Sequence, residues 1–416
     1  MQYISRHVDS QLQDSVRAFG SVLIEGPRGC GKTRSAKQVC ESATFFDIDE
    51  AAQLAARVAP ETLLAGPYPR LLDEWQLVPS IWNQVRHRVD SADRKGLFVL
   101  TGSFTPPPDT SRHTGATRLH RIKMRPMTLQ EQGISDGSFS ISRALSGEVS
   151  PSGSNQRLEL LDLLKVICRG GWPSFRQLNA QQALAANSSY LATLFDSGAD
   201  HWPNRSTVAT GRAVLDEVAR TTGSNMSVER MSQQISLRRG ATKAETTQSY
   251  LDQLGGAHIL ELLPGWGASL RSRYSVAKAP KRYLVDPSLA VAALKASPVK
   301  LMADLKTTGF LFENLVIRDL LAITSAIGAQ VFHFRDESGL EVDAIIEGHL
   351  GNWGAVEVKL GSSSIDTAAQ NLLKFASRID TTVMGQPEFL AIITNTEYSY
   401  LRDDGVAVIA ITALGI

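Results

Sequence analysis

Ser21-Val22-Leu23-Ile24-Glu25-Gly26-Pro27-Arg28-Gly29-Cys30-Gly31-Lys32-Thr33 is the stretch on which the reading of this chain turns. Its first five residues form a short apolar run closed by Glu25, the pattern of a buried strand, and the segment KTRSAKQVCESA predicts a helix over 32–43. Between them, residues 26–33 satisfy G-x-x-x-x-G-K-[ST] in full. Glycines allow main-chain N–H groups to turn inward around phosphate oxygens without Cβ clashes. The helix that follows presents its positive end to the same anion. Gly26, Pro27, Arg28, Gly29, Cys30, Gly31, Lys32 and Thr33 are therefore expected to cradle the phosphates of ATP, with Lys32 on the β- and γ-phosphates and the Thr33 hydroxyl on Mg²⁺.

Working outward, further short strands are predicted at Thr44–Asp47, Arg70–Leu72 and Gly96–Thr101, separated by helical patterns. Such alternation predicts an α/β fold with a parallel sheet. A magnesium site of this kind needs a carboxylate at the end of a second strand. Asp73 is placed to hold the metal and Glu74 to polarise the attacking water. Thr101-Gly102-Ser103 ends a third strand, where Ser103 or Thr101 could orient that water. The basic run Arg118, Arg121, Lys123 and Arg125 follows, and an arginine reaching the γ-phosphate, from this chain or a neighbouring subunit, would stabilise transition-state charge. Spacing alone does not choose among them.

Composition narrows the classes. The chain has 416 residues, enough for two or three domains, with 43% hydrophobic and 20% charged residues and a formal net charge of +1. That balance excludes a disordered or fibrous chain and a globally basic nucleic-acid binder, so any DNA-contacting surface must be local. Three cysteines at wide spacing exclude a disulfide framework and a cysteine-based zinc site. No apolar stretch approaches the ~20 residues of a membrane span, and the start MQYISRHVDSQLQDSVRAFG does not read as a secretory signal, which together predict a cytoplasmic protein.

The chain divides into a nucleotide-binding domain over 1–132, a Ser/Gly-rich linker over 133–157, a helical domain over 158–300 and a second α/β unit over 301–416. Within the helical domain, helices at Arg212–Thr222, Ser227–Ser236 and Lys243–Leu254 precede short strands at Ile259–Leu263 and Tyr274–Val276. In the last unit, Glu341-Val342-Asp343 lies on one predicted strand and Glu357-Val358-Lys359 on the next. Period-2 alternation puts Glu341 with Asp343, and Glu357 with Lys359, on shared faces. If these strands pair, two carboxylates and an ammonium converge, and Glu313 on the preceding helix could complete a shell for a second Mg²⁺ or Mn²⁺. A solvated face of ion pairs would carry the same residues.

The chain resembles the prokaryotic AAA-type ATPases that carry a C-terminal domain of uncharacterised function. The resemblance rests on Tyr3-Ile4-Ser5-Arg6, on GPRGCGKT over 26–33, on Leu72-Asp73-Glu74-Trp75-Gln76 and on Leu100-Thr101-Gly102-Ser103. It continues through Arg118, Leu129-Gln130-Glu131, Gly170-Gly171-Trp172-Pro173, Asp286-Pro287-Ser288-Leu289 and Gly309-Phe310-Leu311-Phe312-Glu313-Asn314. It implies ATP hydrolysis with Asp73, Glu74, Ser103 and Arg118 in the roles above, although the family's arginine usually follows a glycine and here follows Thr117. The middle domain is similar to a winged helix, whose third helix would offer Thr242, Lys243, Thr246, Thr247 and Gln248 to a DNA groove, with Arg238, Arg239 and Lys243 on phosphates. The last unit resembles the PD-(D/E)-x-K fold of restriction-type nucleases, with Glu313, Asp343, Glu357 and Lys359 at the motif positions. The expectation is a Mg²⁺-dependent ATPase coupled to a nuclease-like domain acting on or with nucleic acid, alone or as a homo-oligomer. The alternative is an ATP-gated regulator or scaffold whose C-terminal fold binds a partner and cuts nothing.

Overall fold

The computed structural model describes residues 2–92, 94–105, 117–151, 158–196, 205–267 and 279–416. Two compact units emerge, one of Met1–Pro126 with Gly256–His258, the other of Met127–Gly255 with Ile259–Ile416.

The first unit is built on five parallel strands, β1 (Ser21–Glu25), β2 (Ser42–Phe45), β3 (Arg70–Asp73), β4 (Phe98–Gly102) and β5 (Leu119–Lys123), in the order β2-β3-β4-β1-β5. Covered on both faces, β1, β3 and β4 read as nearly continuous buried runs. Leu23, Leu72, Phe98 and Leu100 pack with Trp75, Ile81, Trp82 and Val85 in one core. Because all strands run the same way, the carboxyl ends of β1, β4 and β3 lie side by side at one edge, with β4 between the other two. The helix after the glycine-rich loop, α1 (Lys32–Ala36), is shorter than the predicted 32–43, since i→i+3 bonds from Gln38 to Ser35 and from Val39 to Ala36 tighten its end.

The second unit holds the helical segment and the last α/β unit. Helices α2 (Arg205–Arg220), α3 (Val228–Arg239) and α4 (Ala244–Gly256) precede an antiparallel pair, β6 (Leu260–Leu263) and β7 (Lys281–Leu284). Three helices and a two-stranded ribbon follow the expected order, but the second strand differs. The predicted Tyr274–Val276 lies outside the described residues, and the strand pairing with β6 is Lys-Arg-Tyr-Leu. A 22-residue helix, α5 (Leu305–Ala326), then leads into a six-stranded mixed sheet. In it β8 (Gln330–Arg335), β9 (Glu341–Glu347) and β10 (Trp353–Lys359) run antiparallel to one another in turn. Next, α6 (Ile365–Ala376) crosses to β11 (Phe389–Thr394), parallel to β10. Trp266, Trp353 and Phe375 anchor the core beneath this sheet.

Two further differences from the sequence reading stand out. Within the Ser/Gly-rich stretch 133–157, residues 139–145 form a short strand and helix, and Phe139, Ile141, Ala144 and Leu145 are buried; residues 152–157 lie outside the described residues. The motifs Gly170-Gly171-Trp172-Pro173 and Asp286-Pro287-Ser288-Leu289 meet inside the unit. Asp286 accepts hydrogen bonds from the Gly171 N–H at 2.9 Å and from Arg318 at 2.9 Å, while Trp172 Nε1 donates to Ser288 Oγ at 3.2 Å. Arg318 also binds Asp319, whose other oxygen accepts the Leu129 N–H. A buried network satisfied this fully is scaffold.

Candidate functional site

The glycine-rich loop leaves β1 with its main chain pressed against a neighbour. A Cβ on Gly26 would meet the Met124 carbonyl oxygen at 2.1 Å, so only glycine fits. Gly29 and Gly31 adopt φ of +79° and +111°, which turns the intervening amides toward one concavity. Lys32 is 4% exposed, and its ammonium donates to the loop's own carbonyls, Gly26 O at 2.9 Å and Pro27 O at 3.0 Å.

At the end of β3, Asp73 is buried. Thr101 Oγ1, at the end of β4, donates to Asp73 Oδ1 at 2.6 Å and accepts the Glu74 N–H at 3.2 Å. Burial raises the Asp73 pKa above the ordinary carboxylate range, while the hydroxyls of Thr101 and Thr33 pull it back down. Glu74 takes a left-handed conformation, φ +54°, that turns the chain away from the strand. Its Oε2 accepts from Ser103 Oγ at 2.7 Å and from the Gln76 amide, which also donates to Ser103 Oγ at 3.2 Å. Of the alternatives the sequence left open, Ser103 serves Glu74 and Thr101 serves Asp73. Gln76 was given no role from sequence, because its reach to Glu74 depends on the left-handed turn between them.

The second cluster lies in the other unit. The Asp343 Oδ2 accepts the Val358 N–H at 2.9 Å across the β9–β10 pair, so the two strands bring Asp343, Glu357 and Lys359 together. Lys359 Nζ lies 2.6 Å from Glu357 and 3.5 Å from Asp343. Glu313, from α5, accepts from Tyr283 Oη at 2.6 Å. Sequence reading missed the cation at the centre. Lys281, 3% exposed on β7, places its Nζ 3.3 Å from Glu313, 2.8 Å from Glu341 and 3.5 Å from Asp343. Glu357 and Lys359 also line a cavity of about 370 Å³ with Thr367, Gln370, Asn371 and Lys374.

Protonation in this cluster follows burial and charge. Burial and the Asp343 charge push Glu357 up to about 8, against the pull of Lys359, and burial with the same charge lifts Glu313 to about 7. Burial would raise Asp343 too, but the ammoniums of Lys281 and Lys359 hold it below its usual range. A folded-state pKa above the unfolded one means the folded protein binds more protons, so this contribution to stability is present at acid pH and lost as pH rises through about 8. Thermal melts should therefore show Glu357→Gln gaining on the wild type between pH 6 and pH 9. The expected gain is a few degrees, since ~1 kcal/mol moves the midpoint by roughly 2–4 °C in a unit of this size. Parallel pH profiles for the two proteins would contradict it.

Residues 19–132 match a family model described as an AAA domain. The first unit thus contains most of a segment similar to AAA domains. Residues 160–300 and 308–414 match two models described as domains of unknown function, DUF8612 and DUF4143. The chain is similar to a solved structure, the Walker-type ATPase PABY2304 of Pyrococcus abyssi, at 10% identity and a TM-score of 0.45 over 70% of this chain and 96% of that one. No curated protein matches it.

Arg118, expected to act from its own chain or a neighbouring subunit, lies away from the loop of its own chain. The basic run from Leu119 is β5, parallel to β1 with Leu119 opposite Ser21 and Lys123 opposite Glu25. Arg118 precedes β5, and its carbonyl accepts from Ser21 at the start of β1, whereas the phosphate loop follows the end of β1. Five strand residues at ~3.3 Å each separate the two edges. The guanidinium instead holds Asp90 at 2.7 Å. Arg118 does not reach the loop of its own chain. Arg121, three residues on, pairs with Glu25 at 2.8 Å.

The residues around the AAA domain's loop suit magnesium. Thr33 and Asp73 supply hard oxygen donors bonded to each other, the kind Mg²⁺ prefers. The C-terminal carboxylates do not suit a second metal in this arrangement, because an ammonium already lies among Glu313, Glu341 and Asp343. As the side chains stand, with Lys281 in place, no group of three His, Cys, Asp or Glu among the described residues could hold a metal ion. The three-helix segment also departs from its expected groove-reading set: Thr247 is buried and Arg238 is committed to Glu217. Among the described residues, no helix is long and apolar enough to cross a membrane.

Proposed function

We propose that the chain is a Mg²⁺-dependent ATPase whose C-terminal module binds a partner without cutting it. The carrying observation for the first half is the pairing at the ends of β3 and β4: Asp73 with Thr101, and Glu74 with Ser103, at the sheet edge where the phosphate loop begins. Main-chain N–H groups of the loop after Pro27 and the Lys32 ammonium hold the β- and γ-phosphates. Thr33 and Asp73 hold the metal, which supplies neutralisation of phosphate charge when bound. Glu74, oriented by Ser103 and Gln76, draws the proton from the attacking water.

The second half draws support from Lys281, whose charge occupies the cluster a nuclease would need for metal. The PD-(D/E)-x-K-like reading of the fold stands on Asp343, Glu357 and Lys359 meeting across paired strands, but a fold carries no activity by itself. The winged-helix-like reading leaves Lys243, just before α4, and Thr246 and Gln248 on it exposed, so the partner it names is DNA, held rather than cleaved. An arginine completing the ATP site from a neighbouring copy, Arg118 included, belongs to the same reading and requires a homo-oligomer.

The test is an incubation of the purified protein with ATP and closed circular DNA in Mg²⁺ or Mn²⁺. Metal-dependent phosphate release with intact circles is the expected outcome. Nicking that disappears in both Asp343→Ala and Lys359→Ala would overturn the non-cutting half, and no phosphate release would overturn the first.

A further inference from the structure

We propose that the Lys281 ammonium stands where a divalent cation would stand, so that the chain itself closes its C-terminal carboxylate cluster to metal ions. The assignment rests on the non-cutting reading of that module and gives it a cause. Three observations carry it.

The first is coordination. An ammonium has three donors, and Lys281 aims its Nζ at three separate carboxylates, at 2.8, 3.3 and 3.5 Å. These come from two elements, Glu313 on α5 and Glu341 with Asp343 on β9, so the lysine occupies the point on which they converge.

Charge is the second. Lys281 takes one oxygen of Asp343 and Lys359 the other, at 3.5 Å each, so two ammoniums together supply the two positive charges a divalent ion would bring. A metal entering beside them would meet like charge in a site of low exposure, where Coulomb repulsion is poorly screened. Arg335, 3.9 Å from Glu341, adds charge of the same sign, and Glu357 is taken up by Lys359 at 2.6 Å.

The third is rigidity. Lys281 is carried on a strand pinned along its length. β7 pairs with β6 from Leu260↔Leu284 to Leu263↔Lys281, and the Gly223 N–H donates to the Arg282 carbonyl at 2.9 Å. The Arg282 side chain bonds to the Met226 carbonyl, and Tyr283 holds Glu313. Lys281 also lies outside the 308–414 segment whose carboxylates it satisfies. The cation is thus contributed by the preceding segment, and the cluster doubles as the tie between that ribbon and the C-terminal sheet.

The experiment uses full-length, nucleotide-free protein and Mn²⁺ as the probe, read by electron paramagnetic resonance and by thermal melts. Wild type should bind no Mn²⁺ that Asp343→Asn removes, and its melting temperature should not respond to about 1 mM Mn²⁺. Lys281→Met leaves the carboxylates without their cation, so its melting temperature should fall and should recover in Mn²⁺. The same variant should gain one site, binding roughly tenfold or more tighter than anything in wild type. Adding Asp343→Asn to Lys281→Met should abolish both the site and the recovery. Lys281→Gln, neutral and still able to donate, is the second variant should the methionine fail to fold. Mn²⁺ binding by wild type that depends on Asp343 overturns the proposal. So does a folded Lys281→Met or Lys281→Gln protein that binds no Mn²⁺, or failure of both to fold even with Mn²⁺ present. Nicking of DNA by wild type is a separate readout, and it strikes the non-cutting reading rather than the identity of the cation.

Discussion

Lys32→Ala should lower ATP turnover by roughly 10²–10⁴-fold and weaken nucleotide binding with it. The Lys32 ammonium is the cation at the mouth of the loop, held at 2.9 and 3.0 Å by Gly26 and Pro27 carbonyls. Those two bonds keep a nearly buried charge satisfied, and the same donors can be handed to phosphate oxygens without moving the backbone. A hydrogen bond between charged groups contributes about 1.5–3 kcal/mol. Losing two, in a site where the transition state carries more charge than the ground state, gives a fall of the stated size. Alanine leaves Gly26, Gly29 and Gly31 and their backbone angles in place, so the melting temperature should change little. Phosphate-release kinetics and a titration with labelled nucleotide read the two effects separately. A variant turning over within about threefold of wild type would leave the loop without its assigned role.

How much of this was written in the sequence depends on what each residue's neighbours are. Residues 26–33 were legible because the backbone itself imposes their identity: Gly26 faces a carbonyl, and Gly29 and Gly31 need positive φ. The strands β1, β3 and β4 were legible because burial on both faces makes them continuous apolar runs. By contrast β5, Leu119-His120-Arg121-Ile122-Lys123, is an edge strand with one neighbour, and its Arg and Lys are tolerated because one flank is open. Its mixed composition hid the strand, and with it the fact that Arg118 lies at the wrong edge of the sheet. Lys281 was hidden for the opposite reason. Lys-Arg-Tyr-Leu reads as surface, yet all four residues are buried, because carboxylates distant in sequence neutralise the lysine. The only hint was the surplus of acid at Glu313, Glu341, Asp343 and Glu357, which calls for a cation without saying whether a metal or a side chain provides it. Convergence of Asp343 with Glu357 and Lys359 followed from strand alternation on condition that the two strands pair, as β9 and β10 do.

Glu74→Gln should separate binding from chemistry in the same AAA domain. Glutamine keeps the length and shape of the side chain and an oxygen that can accept from Ser103, now at 2.7 Å from Glu74 Oε2. What it removes is the ability to take a proton. Nucleotide affinity, which rests on the loop amides, Lys32, Thr33 and Asp73, should stay within about twofold of wild type, while turnover falls by about 10²–10⁴, the contribution of a positioned general base. Single-turnover measurements with saturating ATP and Mg²⁺ isolate the chemical step, and the variant should accumulate with ATP bound. Equal losses in affinity and rate would instead make Glu74 part of the binding surface. An unchanged rate would move the base elsewhere and leave the Glu74–Ser103–Gln76 arrangement as a cap on the strand end. The geometry argues against both outcomes. Gln76 and Ser103 converge on a single oxygen of Glu74, and the left-handed backbone at this position costs energy of order 1–3 kcal/mol that an ordinary strand ending would avoid. A side chain held this way, at the edge where the phosphate loop begins, is positioned for something that binds beyond it.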